Sequence, residues 1–334
     1  MLRNIFISFV TLAAAHQTWP GHAAAAEPTE AGIVERAGLF TPLTEPPCSY
    51  CSTQHLTGLI RTDDRVVAWI RGPHNGGAVP LRHFLSGPRV INDTYGLFFY
   101  DPDGGYVAAY KKDYGFAFHG WRRGVMVVAG PDGTLWSALT GTAIAGPKTG
   151  QRLERIPSIV TDWGYWLMLH PESTAYNLFD GQTYKAVELP KQMSDEAQRS
   201  LAAADPRLDP MANVLGVEIS GKAMAYALDD LGHRAAINDS FQEVSLCVFW
   251  HGPTRSAAAY QRQLPERPLT FSADAVPPES APIEDTDTRT RWTMAGRAID
   301  GPLRGAELTW VNSIQCRWYA WSAEHPDTEL YNGK

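Results

Sequence analysis

Along much of the chain apolar and polar residues alternate in short runs bounded by glycine, proline, asparagine and aspartate, the pattern of half-buried β-strands. Arg65 to Ile70, Leu97 to Tyr100, Tyr106 to Tyr110 and Val125 to Ala129 predict strands. Val90-Ile91-Asn92-Asp93 predicts a strand end running into a turn, and Gly72 to Gly77 a loop. Thr142 to Ile156 predicts a hairpin closed by Gly146-Pro147-Lys148-Thr149-Gly150, whose glycines supply positive φ and whose proline pre-sets the turn. The period then changes: Asp162 to Leu169 has helical spacing, and Pro171 stops the helix. Val214 to Ile219, Lys222 to Tyr226, Ile237-Asn238-Asp239, Val244 to Trp250 and Ser256 to Tyr260 repeat the order of strands, and a second hairpin and helix follow.

The recurrence extends to residue identity. From Gly141/Gly296 to Tyr176/Tyr331 the two stretches align without a gap, 155 positions apart, and 14 of the 36 positions are identical. Trp163/Trp318, Trp166/Trp321 and His170-Pro171/His325-Pro326 recur in register, which implies an internal duplication. The expected fold is therefore α+β and β-rich: two tandem homologous units, 56–178 and 212–334, each with strands, a Gly-Pro hairpin and one short C-terminal helix. A connector, 179–211, separates them. In it Ser194, with Asp195 and Glu196 behind it, suits a helix start, and Pro206 and Pro210 end the segment.

The 334-residue length is enough for one large core or two ordinary ones. A net charge of −7 argues against a nucleic-acid backbone as the main partner. Lys111-Lys112 and Arg122-Arg123 read as solvated turns. At the N-terminus Arg3 and the apolar run Ile5 to Ala15, too short to span a bilayer, predict a secretory signal over 1–26, cut after Ala24-Ala25-Ala26. A cut after Ala15 would instead expose His16, a metal ligand type. Periplasmic or secreted location is expected, with no transmembrane segment.

Several residues carry candidate chemistry. Trp163, Trp166 and His170 fall on one helix face, as do Trp318, Trp321 and His325. They read as core packing or, with Trp136 and Trp292, as an aromatic platform anchored by His170 and His325. Asn92-Asp93 and Asn238-Asp239 place an amide and a carboxylate at the same point twice, each followed by a hydroxyl residue, Thr94 or Ser240. Such pairs close turns, and they also offer a general base or a cation ligand. Cys48 and Cys51, in the proline-bearing lead-in 27–55, read as a local disulfide or, with His55, as a metal half-site. A bridge between Cys247 and Cys316 is a further option, if their Cα atoms lie within about 7 Å.

Ile-Asn-Asp, then Trp-Ser-x-x-Thr-Gly-x-Ala-Ile-x-Gly-Pro, then Trp-x-x-Trp-x-x-x-His-Pro resembles the bacterial domain-of-unknown-function family 3179, over both stretches. The resemblance implies an exported protein with an architecture and no assigned reaction. Asp285 to Trp292 resembles the family's Asp-x-x-Thr-x-Ser-x-Trp run, and Ala129 to Trp136 lacks its leading acid. The family's Tyr-Cys-Pro turn has no cysteine here: Asp101 precedes Pro102, and His251-Gly252 precedes Pro253.

Three functions follow as expectations. The first is a non-catalytic ligand-binding or structural module of the envelope, since no nucleophile–base motif and no phosphate loop is present. The second is a polysaccharide hydrolase drawing on Asp93, Asp239, Asp285 and Asp287. The third is a metal or redox accessory protein using Cys48, Cys51 and His55. A cell-envelope glycan or a divalent metal is the corresponding partner. No cofactor is specified.

Overall fold

The computed structural model describes residues 32–45, 60–70, 76–85, 89–176, 191–201, 204–263, 268–273 and 280–333. The signal segment 1–26, Cys48, Cys51 and His55, and 177–190 of the connector lie outside the described residues. The chain is β-rich with few helices.

In chain order, β1 (Ile33–Glu35), β2 (Leu43–Thr44), β3 (Arg65–Ile70) and β4 (Gly76–Pro80) lead to the short helix α1 (Leu81–Leu85). β5 (Val90–Asp93), β6 (Gly96–Asp101) and β7 (Tyr106–Tyr110) form a meander. β8 (Ala117–Arg122), β9 (Val125–Ala129), β10 (Leu135–Ser137) and β11 (Ala143–Ala145) follow. β12 (Ile159–Asp162) runs straight into α2 (Trp163–Leu169), and β13 (Thr174–Ala175) comes next. After α3 (Asp195–Ser200) come β14 (Asn213–Ile219), β15 (Lys222–Ala227), β16 (Arg234–Phe241), β17 (Val244–His251) and β18 (Ser256–Gln261). β19 (Phe271–Ser272), β20 (Ile283–Asp285), β21 (Arg291–Trp292) and β22 (Ala298–Asp300) precede β23 (Ser313–Arg317), α4 (Trp318–Glu324) and β24 (Glu329–Leu330).

Two four-stranded sheets share one plan, β12-β3-β4-β13 and β23-β14-β15-β24, each antiparallel except for its last pair. Their registers correspond: Ile159 lies opposite Ala68, and Ile314, 155 positions on, opposite Gly216. Each sheet carries a helix whose second tryptophan lies flat on a strand. Any Cβ on Gly216 would sit 2.3 Å from the Trp321 ring, and one on Gly76 would sit 2.7 Å from Trp166 Nε1. Gly76-Gly77 is therefore strand rather than the expected loop, since the missing side chain lets the helix approach the backbone.

The remaining strands also recur. Asn92 clamps the Phe116 backbone, donating Nδ2 to its carbonyl and accepting its N–H, both at 3.0 Å. Asn238 does the same to Phe271, both at 2.8 Å. Tyr110 donates its hydroxyl to the Ala138 carbonyl at 3.0 Å, and Tyr260 to that of Met294 at 2.8 Å. The Gly146–Gly150 turn does fold the chain back, with Ala143 N–H donating to the Gln151 carbonyl. The return segment bridges back at Thr142 and Arg152, antiparallel, and on its other edge β11 pairs with β10. In α3 the Ser194 side chain accepts from the Ala197 N–H, so the expected cap forms.

The core crosses between the two stretches. Trp318 and Trp321 of α4 share a buried cluster with Phe99, Phe116 and Trp136 of the first stretch. Trp163 and Trp166 of α2 share another with Phe249, Phe271 and Trp292 of the second. Strands interlock in the same sense, β7 beside β23 and β18 beside β12. This crossing also corrects the Cys247–Cys316 option. The two thiols are free and buried in different clusters, Cys247 with Trp292 and Cys316 with Trp136.

Candidate functional site

The two helix-bearing sheets both line one cleft, and their leading strands begin at matched places. Arg65 opens β3 opposite Asp162, the last residue of β12, and Asn213 opens β14 opposite Arg317, the last residue of β23. Arg65 Nη1 donates to Asp162 Oδ1 at 2.8 Å and to the Thr254 carbonyl, and Nη2 donates to the Arg255 carbonyl at 3.2 Å. The buried Arg65 side chain thus ties β3 to the turn before β18. Burial pushes its guanidinium below the ordinary arginine range, and Asp162 opposes that shift. On the other side Arg317 Nη1 donates to the Met211 carbonyl at 2.7 Å and to Asn213 Oδ1 at 2.8 Å. Asn213 in turn donates its N–H and Nδ2 to the rim carboxylate of Asp229 at 2.8 and 2.5 Å.

Between these pairs lies a cleft of about 400 Å³, a size suited to a small molecule. Both stretches line it at corresponding positions. Tyr100, next to last in β6, corresponds to Trp250, next to last in β17, and Val160 of β12 corresponds to Gln315 of β23. Gly105, before β7, corresponds to Arg255, before β18, and both are left-handed at φ 67° and 45°. Among the described lining residues Arg65, Lys191, Arg255 and Arg317 are cationic, and Asp229 is the one carboxylate. The Arg255 guanidinium has no hydrogen-bond or ion-pair partner among the described residues, and it lies close enough to Arg65 to oppose that residue's charge. Wholly buried Tyr100 has a hydroxyl without a hydrogen-bond partner among the described residues, within electrostatic reach of Arg65.

The residues singled out from sequence lie elsewhere. Asn92 and Asn238 are the backbone clamps described above. Asp93 accepts from the Tyr95 N–H at 3.0 Å, closing the β5–β6 turn. Asp239 accepts from the Tyr226 hydroxyl at 2.8 Å and from the Ser240 N–H at 2.7 Å. Trp136 and Trp292 are enclosed in the two aromatic clusters. Trp292 donates Nε1 to Asp285 Oδ2 at 3.0 Å. Ala129 stands where the first stretch lacks that acid, and Trp136 Nε1 is buried without a partner among the described residues. Asp287 accepts from the Thr270 N–H at 3.0 Å. His170 and His325 pack their rings on Trp166 and Trp321, centroids 4.3 and 4.1 Å apart. Burial depresses both imidazoles, His170 to about 4. Among the described residues no group of three or more His, Cys, Asp or Glu side chains gathers as a metal site.

In the turn before Pro102, Asp101 is wholly buried. It accepts the N–H groups of Asp103 and Gly104 at 3.1 Å on Oδ1 and that of Met126 at 3.2 Å on Oδ2. Burial, and secondarily the Asp103 carboxylate, raise it to about 7 despite those donors. At the corresponding place His251 pairs Nδ1 with Thr254 Oγ1 at 2.8 Å and stacks on Tyr165. An acid raised in the folded state binds its proton more tightly there than in the unfolded chain. Its stabilising contribution is complete below about pH 4 and is lost as pH rises through about 7. His170 acts in the opposite sense, its contribution being lost as pH falls from about 6.5 to about 4. Urea midpoints of the wild type and Asp101→Asn between pH 4 and 8 separate the two. The difference between the proteins should grow with pH in favour of the variant and level off above about 7, whereas a constant difference would remove Asp101 from the account.

The cleft residues carried one trace in the sequence: an arginine, Arg255, in a turn whose counterpart is glycine, Gly105. Arg65 and Arg317 gave none, because each reads as the polar terminus of an ordinary strand. A β-rich scaffold with a cationic cleft at the junction of two similar sheets is the class of protein these features define. Residues 125–328 match the family described as Protein of unknown function (DUF3179), which is more than half of the chain, and the chain belongs to that family. No curated protein and no solved structure matches it.

Proposed function

We propose that this is a non-catalytic binding module of the cell envelope that holds a small molecule in the cleft between two tandem copies of one unit. The duplication reading is supported by the 14 identities over 36 positions, by the shared sheet order and by the paired asparagine clamps. One observation carries the binding reading: the 400 Å³ cleft is lined from both stretches at corresponding positions and includes the buried, unpartnered hydroxyl of Tyr100. A non-catalytic role is favoured because Asp93, Asp239, Asp285 and Asp287, the candidate acids, each accept hydrogen bonds from backbone N–H, phenol or indole groups of the scaffold. Periplasmic or secreted location remains part of the proposal and rests on the N-terminal pattern alone. Native mass spectrometry of the protein purified from its own envelope fraction tests it. A co-purifying small molecule is expected, and Val160→Trp, which fills the cleft from a partly exposed position, should release it. A wild-type protein that carries nothing, or a ligand retained in Val160→Trp, would place function outside the cleft.

A further inference from the structure

We propose that the cleft selects an anion, a carboxylate or phosphate carried on a small apolar body, and that Arg255 is the residue that sets this specificity. The inference rests on the cleft being the ligand site. Three observations support it. Among the described lining residues cations outnumber the single carboxylate four to one, and that carboxylate, Asp229, already accepts two hydrogen bonds from Asn213. Arg65, by contrast, is held by Asp162 and two backbone carbonyls, so it supplies field more than a free donor face. Arg255 and Lys191 are the lining cations without a hydrogen-bond or ion-pair partner among the described residues, and of the two Arg255 is the one whose charge acts on Arg65. A guanidinium presents a planar fork that matches a carboxylate or phosphate edge through two parallel hydrogen bonds.

The backbone adds an independent reason. Arg255 sits at φ 45°, a conformation that costs a residue with a Cβ and that glycine adopts freely. The corresponding turn of the first stretch meets the same demand with Gly105, at φ 67°. A cation kept in a strained position beside another cation, Arg65, is destabilising twice over in the empty protein. The repulsion is relieved when an anion lies between the two guanidiniums, and the strained backbone is what holds Arg255 at that place. Tyr100 and Trp250, at corresponding positions in the wall, supply the apolar surface for the ligand's body.

Arg255→Gly separates this role from a structural one. Calorimetric titrations of the full exported chain use inorganic phosphate and succinate as the two anion arms, with choline and maltotriose as cationic and neutral controls. At least one anion is expected to bind saturably. Its affinity should fall about tenfold or more in Arg255→Gly, the loss of a charge-assisted pair. The variant's melting temperature in the absence of ligand should stay level or rise. Which anion binds distinguishes phosphate from carboxylate ligands. Equal anion affinity in Arg255→Gly, or a lowered melting temperature with affinity unchanged, would overturn the proposal. So would saturable binding of choline or maltotriose alone; if Val160→Trp abolishes that binding, the cleft stands as the site and only the anion assignment falls. Absence of binding by every probe would overturn it as well, and the co-purification result then reports separately on the cleft.

Discussion

Trp321→Ala is expected to destabilise the protein by about 3–5 kcal/mol, the range for removing a large aromatic side chain from a packed core. Trp321 is buried on the backbone of Gly216, packs against the tilted ring of His325 and donates Nε1 to Thr328 Oγ1 at 2.9 Å. Truncation therefore leaves a cavity over a strand that has no side chain to collapse into it. It also leaves the buried Thr328 hydroxyl without its indole donor. The loss should not stay local. Trp321 belongs to the cluster that holds Phe99, Phe116 and Trp136 of the first stretch, so near-UV circular dichroism and tryptophan fluorescence should lose signal together, in one transition. A loss below about 1 kcal/mol would mean that the indole is not packed as described. A surviving second transition, with half of the aromatic signal intact, would mean that the two stretches are energetically separate.

The recurring helix was legible because Trp163, Trp166, His170 and Pro171 return as Trp318, Trp321, His325 and Pro326 at one fixed offset. Strand positions were legible from alternation for the same reason: both signals lie within a few residues of each other along the chain. What was not legible depends on contacts far apart in sequence. Asn92 looked like a turn residue or a ligand, yet its partner is the backbone of Phe116, 24 positions on. Gly76-Gly77 looked like loop punctuation, and only the arrival of Trp166 explains why those glycines lie in a strand. The cleft was invisible because Arg65, Arg255 and Arg317 belong to three separate strand ends. Only the pairing of β12 with β3 and of β23 with β14, with the turn before β18 held by Arg65, brings them to one cleft.

The interlock is the central claim, because both the core and the cleft depend on it. Each helix packs its second tryptophan on a strand of its own sheet and shares a buried cluster with aromatic residues of the other stretch. A single stretch therefore leaves one helix without its cover and one aromatic sheet open. Duplicated units that merely followed each other would each hold a complete core and fold alone. Here residues 212–334 would keep the hydrogen bonds of β14, β15 and β23 and the cluster around Leu215, Tyr226 and Trp250, but would lose the first-stretch partners of Trp318, Tyr319 and Trp321, a large share of the apolar burial of so short a chain. The most direct test is urea unfolding of residues 212–334 by themselves, followed by near-UV circular dichroism. No cooperative transition and a flat aromatic spectrum are expected, with both restored on mixing with residues 27–211. A cooperative transition and a native-like aromatic spectrum from 212–334 alone would contradict the account.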